Sequence, residues 1–199
     1  MVQIINMIWY DPVMNIATKP CLTVDEYLAW AEGRPGRYEL YQGVVYAMAP
    51  ERAAHAKTKL AIHMALSAAI RAQQLPCHVM PDGMTVRIDE TTAHEPDGLV
   101  YCGPELPPST LLVPNPMIVL EVLSPSSQRI DATRKLAGYF RVPSVVHYLI
   151  VDPDQPLVIH HARQADDSIL THIVREGVIK LDPPGLELAL VDVYGAAQS

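Results

Sequence analysis

"MIVLEVLSPSS", residues 117–127, is the stretch whose reading decides the fold. Ile118, Val119, Leu120, Val122 and Leu123 form an apolar run that stops at a Ser-Pro pair, the pattern of a buried strand. Glu121 stands inside that run. An ionised carboxylate there is costly to desolvate unless a cation, a metal or hydrogen-bond donors meet it, so the strand carries a demand for a partner.

Reading downstream, Ser126 or Ser127 is placed to cap a helix through "QRIDATRKLAGYFR", residues 128–141, with Ile130, Thr133, Ala137 and Phe140 on one side. After Pro143 the chain turns β again. "VVHYLIVD", "LVIHHAR", "SILTHIV", "GVIKL" and "LELALVDVY" are short runs divided by Asp, Pro and Gly turns, and they are expected to extend a sheet.

Reading upstream, the proline-rich loop "GPELPPSTLLVPNP" follows strand-like segments at "GLVYC", "GMTVRID" and "CHVM". Before them, residues 51–74 hold strong helix formers with no Gly or Pro, and Ile62, Leu66 and Ile70 make a stripe at helical spacing. "RYELYQGVVYAM", residues 37–48, reads as a hairpin about Gln42-Gly43, with Tyr38 and Leu40 on one face and Arg37, Glu39 and Tyr41 on the other. Thr23 with Glu26 makes a capping box ahead of a helix that Gly33 ends.

A chain of 199 residues with 49% hydrophobic and 19% charged residues is globular in composition, and its length suits one domain over 23–199 behind an extension at 1–22. The apolar start, "MVQIINMIWYDPVMN", lacks a basic leader and is cut by Asp11-Pro12, and no window approaches the length of a membrane span. A cytoplasmic, membrane-free protein is the expectation. Cys21, Cys77 and Cys102 are odd in number and unpatterned, which predicts reduced, mostly buried thiols. A net charge of -7 argues against a protein that coats nucleic acid, so contact with a polyanion must be local or assisted by a metal.

No GxSxG elbow, GxxxxGK[ST] loop or GxGxxG fingerprint is present, and "HEPDG" fails as a zinc-protease HExxH because Gly98 stands where the second His must be. What remains is a set of acids in β-type sequence: Glu39, Asp97 and Glu121. Carboxylates on neighbouring strands, with a backbone carbonyl, are the oxygen donors that Mg²⁺ or Mn²⁺ prefers. Other readings stay open: Pro96-Asp97-Gly98 is also a plain turn, and Glu121 can pair with a buried Arg or Lys. Likewise Lys135 can pair with Asp131, and Glu39 with Arg37 or Arg34. His55, Lys59 and His63 share one helix face, a row that more often faces solvent; His160-His161 point to opposite sides of a strand and read as structural.

"EPDGLVY", then "IVLEVLSPSS", then "DATRKLAGYF", with "RYELYQGVVYAM" upstream, resembles the Uma2 family, formerly a domain of unknown function, over Thr23 to Asp152 and into the remainder. The resemblance implies the PD-(D/E)xK restriction-endonuclease-like fold: an α/β protein with a mixed central sheet flanked by helices and additional strands in the C-terminal portion. It implies Asp97 and Glu121 as metal ligands, with the Val122 carbonyl as a third and Glu39 acting through water. One departure stands out: Leu123 occupies the position of the superfamily's lysine, and the resemblance moves that role to Lys135, which orients the attacking water or stabilises phosphorane charge. His55 falls where similar sequences tend to carry a histidine near the site. The function so implied is Mg²⁺- or Mn²⁺-dependent endonuclease hydrolysis of phosphodiester bonds in DNA by a metal-activated water, for which a homodimer would suit a duplex. The alternatives are a catalytically silent nuclease fold that binds a partner or nucleic acid, and a metallohydrolase of small substrates.

Overall fold

In a computed structural model, residues 21–124 and 130–195 are described. The chain opens with helix α1 (Val24–Ala31), whose Thr23 and Glu26 form the expected capping box. Strands β1 (Tyr38–Tyr41) and β2 (Val44–Ala47) make the expected hairpin. Gln42 and Gly43 both take positive φ, 48° and 74°, which a two-residue turn matched to strand twist requires. Helix α2 spans Ala53–Ala72 and is followed by strands β3 (Cys77–Pro81), β4 (Val86–Arg87), β5 (Ala93–His94), β6 (Gly98–Cys102) and β7 (Pro116–Val122). Next come helix α3 (Ile130–Tyr139), strands β8 (His147–Val151), β9 (Val158–Arg163), β10 (Ile169–Val174), β11 (Val178–Leu181) and β12 (Leu186–Ala189), and helix α4 (Leu190–Tyr194).

Six strands form the central sheet, in the order β10-β9-β8-β7-β6-β3. Only the β7/β8 pair is parallel, and α3 supplies its crossover, so the sheet is mixed as expected. A smaller sheet, β2-β1-β5-β4, carries the hairpin. Strand β7 is buried on both faces, and its alternation separates two cores. Ile118, Leu120 and Val122 pack with Ile62, Leu66 and Ile70 of α2. Val119 faces the opposite way, with Tyr139, Val142 and Tyr148. Glu121 shares that second face, beneath α3.

Four expectations need correction. The last strand-like run, "LELALVDVY", is half strand and half helix: β12 pairs only with β11 as a separate ribbon, and α4 buries Leu190, Val193 and Tyr194 in the core on the α2 side. The side of α3 turned inward is not that of Thr133 and Ala137, which are exposed, but that of Lys135, Gly138 and Tyr139. A buried acid on β7 selects the face that brings it a cation and a hydroxyl, overriding the weak apolar periodicity. Cys77 and Cys102, opposite each other on β3 and β6, are joined in a disulfide, so only exposed Cys21 is a free thiol. Register across two strands distant in sequence is what the spacing could not disclose. Finally, the row His55, Lys59 and His63 on α2 does not face solvent, because it covers the end of β6 and β7. The expected caps Ser126 and Ser127, and the side chain of Asp131, lie outside the described residues.

Candidate active site

Glu121 is answered from α3. Lys135 Nζ lies 2.9 Å from Glu121 Oε1 and the Tyr139 hydroxyl donates to the same oxygen at 2.7 Å. Lys135 and Tyr139 are four residues apart on one helix, so a single face delivers both. The ammonium also reaches Glu39 Oε1, at 2.9 Å, from the hairpin strand β1. One buried lysine therefore bridges two carboxylates from two sheets. Burial pushes the Glu121 carboxyl up to about 7, and the charges of Asp97 and Glu39 push the same way against Lys135.

Asp97 is set where the chain enters β6, one strand away. Gly98 pairs with Leu120, which brings Asp97 alongside the Glu121-Val122 end of β7. The carboxylate is 4% exposed and accepts the Val122 N–H at 2.8 Å through Oδ2. His55 Nε2, from α2, stands 3.3 Å from that Oδ2 and 3.0 Å from the Val122 carbonyl oxygen. Burial alone would raise the Asp97 carboxyl, but the His55 hydrogen bond, the Val122 N–H and the nearby charges of His55 and Lys59 hold it below the usual range. His55 is raised in turn by that hydrogen bond. Two carboxyls on adjacent strands are thus pushed in opposite directions by their surroundings.

The helix can come this close because β6 begins with glycine. A Cβ at Gly98 would drive into His63 Nε2, which bonds the Asp97 carbonyl at 3.0 Å. Around this junction runs an ionic network that sequence reasoning missed. Arg37 meets Glu51 at 2.8 Å, Asp82 at 2.7 Å and Glu95 at 2.5 Å; Lys59 meets Glu51 at 2.5 Å and Asp82 at 2.7 Å, and lies 3.8 Å from Asp97. These residues come from β1's approach, the turn before α2, α2 itself, the turn after β3 and the β5–β6 link, so no spacing could have gathered them. Arg37, a candidate partner of Glu39 by sequence, serves Glu95 instead. Tyr139 did leave a signal, at i+4 from Lys135. His94, which lines the same cleft, is buried and held neutral, its pKa lowered to about 4 by burial.

The site opens into a cleft of about 820 Å³ that holds Glu39, His55, Asp97, Glu121 and Lys135 together. All five residues expected at the site converge there. Tyr41, Tyr46, Arg52 and Arg134 line its outer part, with the Arg134 guanidinium 4.8 Å over the Tyr41 ring. His160 and His161 lie elsewhere, bonded to His147 and to Thr171 respectively, as a structural reading predicts.

A family model for Uma2, described as "Putative restriction endonuclease", matches residues 24–192. The chain belongs to the Uma2 family. Two curated proteins of Synechocystis sp. (strain ATCC 27184 / PCC 6803 / Kazusa) are similar to this Uma2 chain. "Uncharacterized protein slr1290" is 25% identical over 88% of this chain and 92% of its own length; "Uncharacterized protein sll1609" is 28% identical over 82% and 94%. Among solved structures, "a putative nuclease belonging to DUF820" from Anabaena variabilis ATCC 29413 superimposes with a TM-score of 0.69, at 14% identity, covering 87% of this chain and 98% of that one. At that identity the likeness is one of fold, and the fold is restriction-endonuclease-like. Among the described residues no helix is long and apolar enough to cross a membrane.

The donor set of this Uma2 site suits a hard divalent cation. Asp97 and the Val122 carbonyl offer oxygens within reach of one atom, since His55 Nε2 lies 3.3 and 3.0 Å from them, and the Glu121 carboxylate lines the same cleft from the α3 side. Glu39 is tied to Lys135, so its contribution runs through that ammonium.

Proposed function

We propose that this chain is a Mg²⁺- or Mn²⁺-dependent endonuclease that hydrolyses phosphodiester bonds in DNA in the cytoplasm. The observation that carries the reading is the convergence of Asp97, the Val122 carbonyl and Glu121 on adjoining strands with Lys135 bonded to the last of them. In this reading Asp97, Glu121 and the Val122 carbonyl hold the ion, which when bound supplies charge neutralisation at the scissile phosphate and acidifies a water. Glu39 and Glu121 position the Lys135 ammonium at the cleft wall, where it can hold the attacking water or offset charge on the phosphoryl oxygens. Tyr139 fixes the Glu121 side chain by donating to it. Leu123, in the place of the usual lysine, lies beyond the end of β7, and the helix supplies the ammonium instead.

Support for a nucleic-acid substrate comes from the outer cleft. Arg52 and Arg134 with Tyr41 and Tyr46 provide cations and ring faces for a phosphate backbone and unstacked bases, a local basic patch on a protein of net charge -7. A homodimer would suit a duplex substrate, because two sites could address the two strands. A calorimetric Mn²⁺ titration of wild type beside Glu121→Ala tests the reading. Saturable binding at a position that the variant loses is expected, whereas absence of binding to the wild type would favour the catalytically silent alternative, with Lys135 alone answering Glu121.

A further inference from the structure

We propose that Glu51, His55 and Asp97 form a second cation position, beside the one above and sharing Asp97, that takes Mn²⁺ in preference to Mg²⁺. The proposal rests on the metal reading of Asp97. Among the described residues, one ligand atom from each of these three lies within 4.8 Å of the others, close enough to surround one ion. Two residues come from the start of α2 and its preceding turn, one helical turn apart, and the third from the entry to β6.

His55 points to a ligand independently of the acids. Its Nδ1 is buried without a hydrogen-bond partner in a residue only 8% exposed, and its nearest acidic atom is Glu51 Oε2 at 3.5 Å. A buried ring nitrogen left unbonded beside a carboxylate is costly unless something occupies the space between them. Glu51 is oriented as a ligand would be, because Arg37 and Lys59 hold its Oε1 and leave Oε2 turned to His55. The surrounding charge agrees. Four carboxylates, Glu51, Asp82, Glu95 and Asp97, meet two fixed cations, Arg37 and Lys59, which leaves two formal negative charges for a divalent ion to balance. The Glu51 side chain is 26% exposed, so the position opens to solvent at the cleft. An imidazole donor favours first-row transition ions, whereas Mg²⁺ keeps to oxygen, and this sets the preference.

The test is pulsed electron paramagnetic resonance and calorimetry on the full chain with Mn²⁺, against His55→Leu and Glu51→Gln. Two bound Mn²⁺ with imidazole nitrogen coupling are expected for wild type, falling to one ion without nitrogen coupling in His55→Leu, and to one ion in Glu51→Gln. Mg²⁺ should saturate at one ion. Glu121→Ala should lose the other position and keep the nitrogen signal. If His55→Leu does not fold, the wild-type nitrogen signal and Glu51→Gln still decide. One Mn²⁺ without nitrogen coupling, lost in Glu121→Ala and untouched in Glu51→Gln, overturns the second position and leaves the nuclease reading standing. One ion that carries nitrogen coupling and vanishes in Glu121→Ala also overturns it, because His55 then belongs to the first position. No bound Mn²⁺ at all removes both readings.

Discussion

Lys135 is the residue on which the site's charge hangs. Replacing it by Met leaves Glu39 and Glu121 buried without their shared cation, and loss of one partner from a buried pair costs about 3 kcal/mol. Thermal unfolding of Lys135→Met should show that loss, and cleavage should fall by about 10²-fold or more, the scale on which one charge-stabilising donor matters. Glu121 carries a pH signature of its own. Its carboxyl titrates at about 7 in the fold and near 4.5 when unfolded, so the protonated form is the one the fold favours. Stability from that proton is complete below about 4.5 and is lost as pH rises through 7, and Glu121→Gln should abolish this slope in unfolding measured without metal. A cation needs the carboxylate, so Mn²⁺ affinity should climb as pH rises towards 7 and level off above it, with proton release detectable below 7 by titration in buffers of different ionisation enthalpy.

At the scale of elements, the contact between α2 and the start of β6 sets the site's geometry. Gly98→Ala forces its methyl against His63, so the helix carrying His55 and Lys59 must shift; a cost of about 1–3 kcal/mol and weaker Mn²⁺ binding are expected, read by thermal unfolding and calorimetry. The outer cleft makes a separate prediction. Arg52→Ala and Arg134→Ala should weaken DNA binding uniformly across sequences, each lowering the salt dependence by about one unit, with Mn²⁺ binding unchanged. Much at this scale is legible in the sequence. The capping box, the Gln42-Gly43 turn and the 2-versus-3.6 periodicities mark α1, the first hairpin and α2 because each is a local matter of donors, φ and face. The inward side of α3 is not legible, since Thr133 and Ala137 keep the apolar spacing while Lys135 follows a charge on another strand.

Across the whole molecule, the acids Glu39, Asp97 and Glu121 and the base Lys135 are recognisable because polar letters inside apolar runs are costly and resemble a known succession. Their company of Arg37, Glu51, Lys59, Asp82 and Glu95 is hidden, because it is assembled by sheet register between segments that carry no mutual signal. The Cys77–Cys102 pairing is hidden for the same reason. Stability of the whole fold should also fall in acid through His160, whose pKa is lowered to about 4 by burial and by the neighbouring histidines. The unfolded chain binds that proton from about 6.5 downward and the folded one does not, so stability is lost as pH drops from 6.5 to 4, and His160→Gln should blunt the loss in chemical denaturation. The most direct test of the central claim is cleavage of supercoiled plasmid DNA with Mn²⁺ by wild type, Asp97→Asn and Glu121→Gln, each checked for an intact fold by circular dichroism. The account predicts nicking that needs the ion and disappears in both variants; binding without nicking by the wild type, or nicking that survives undiminished in the variants, would contradict it.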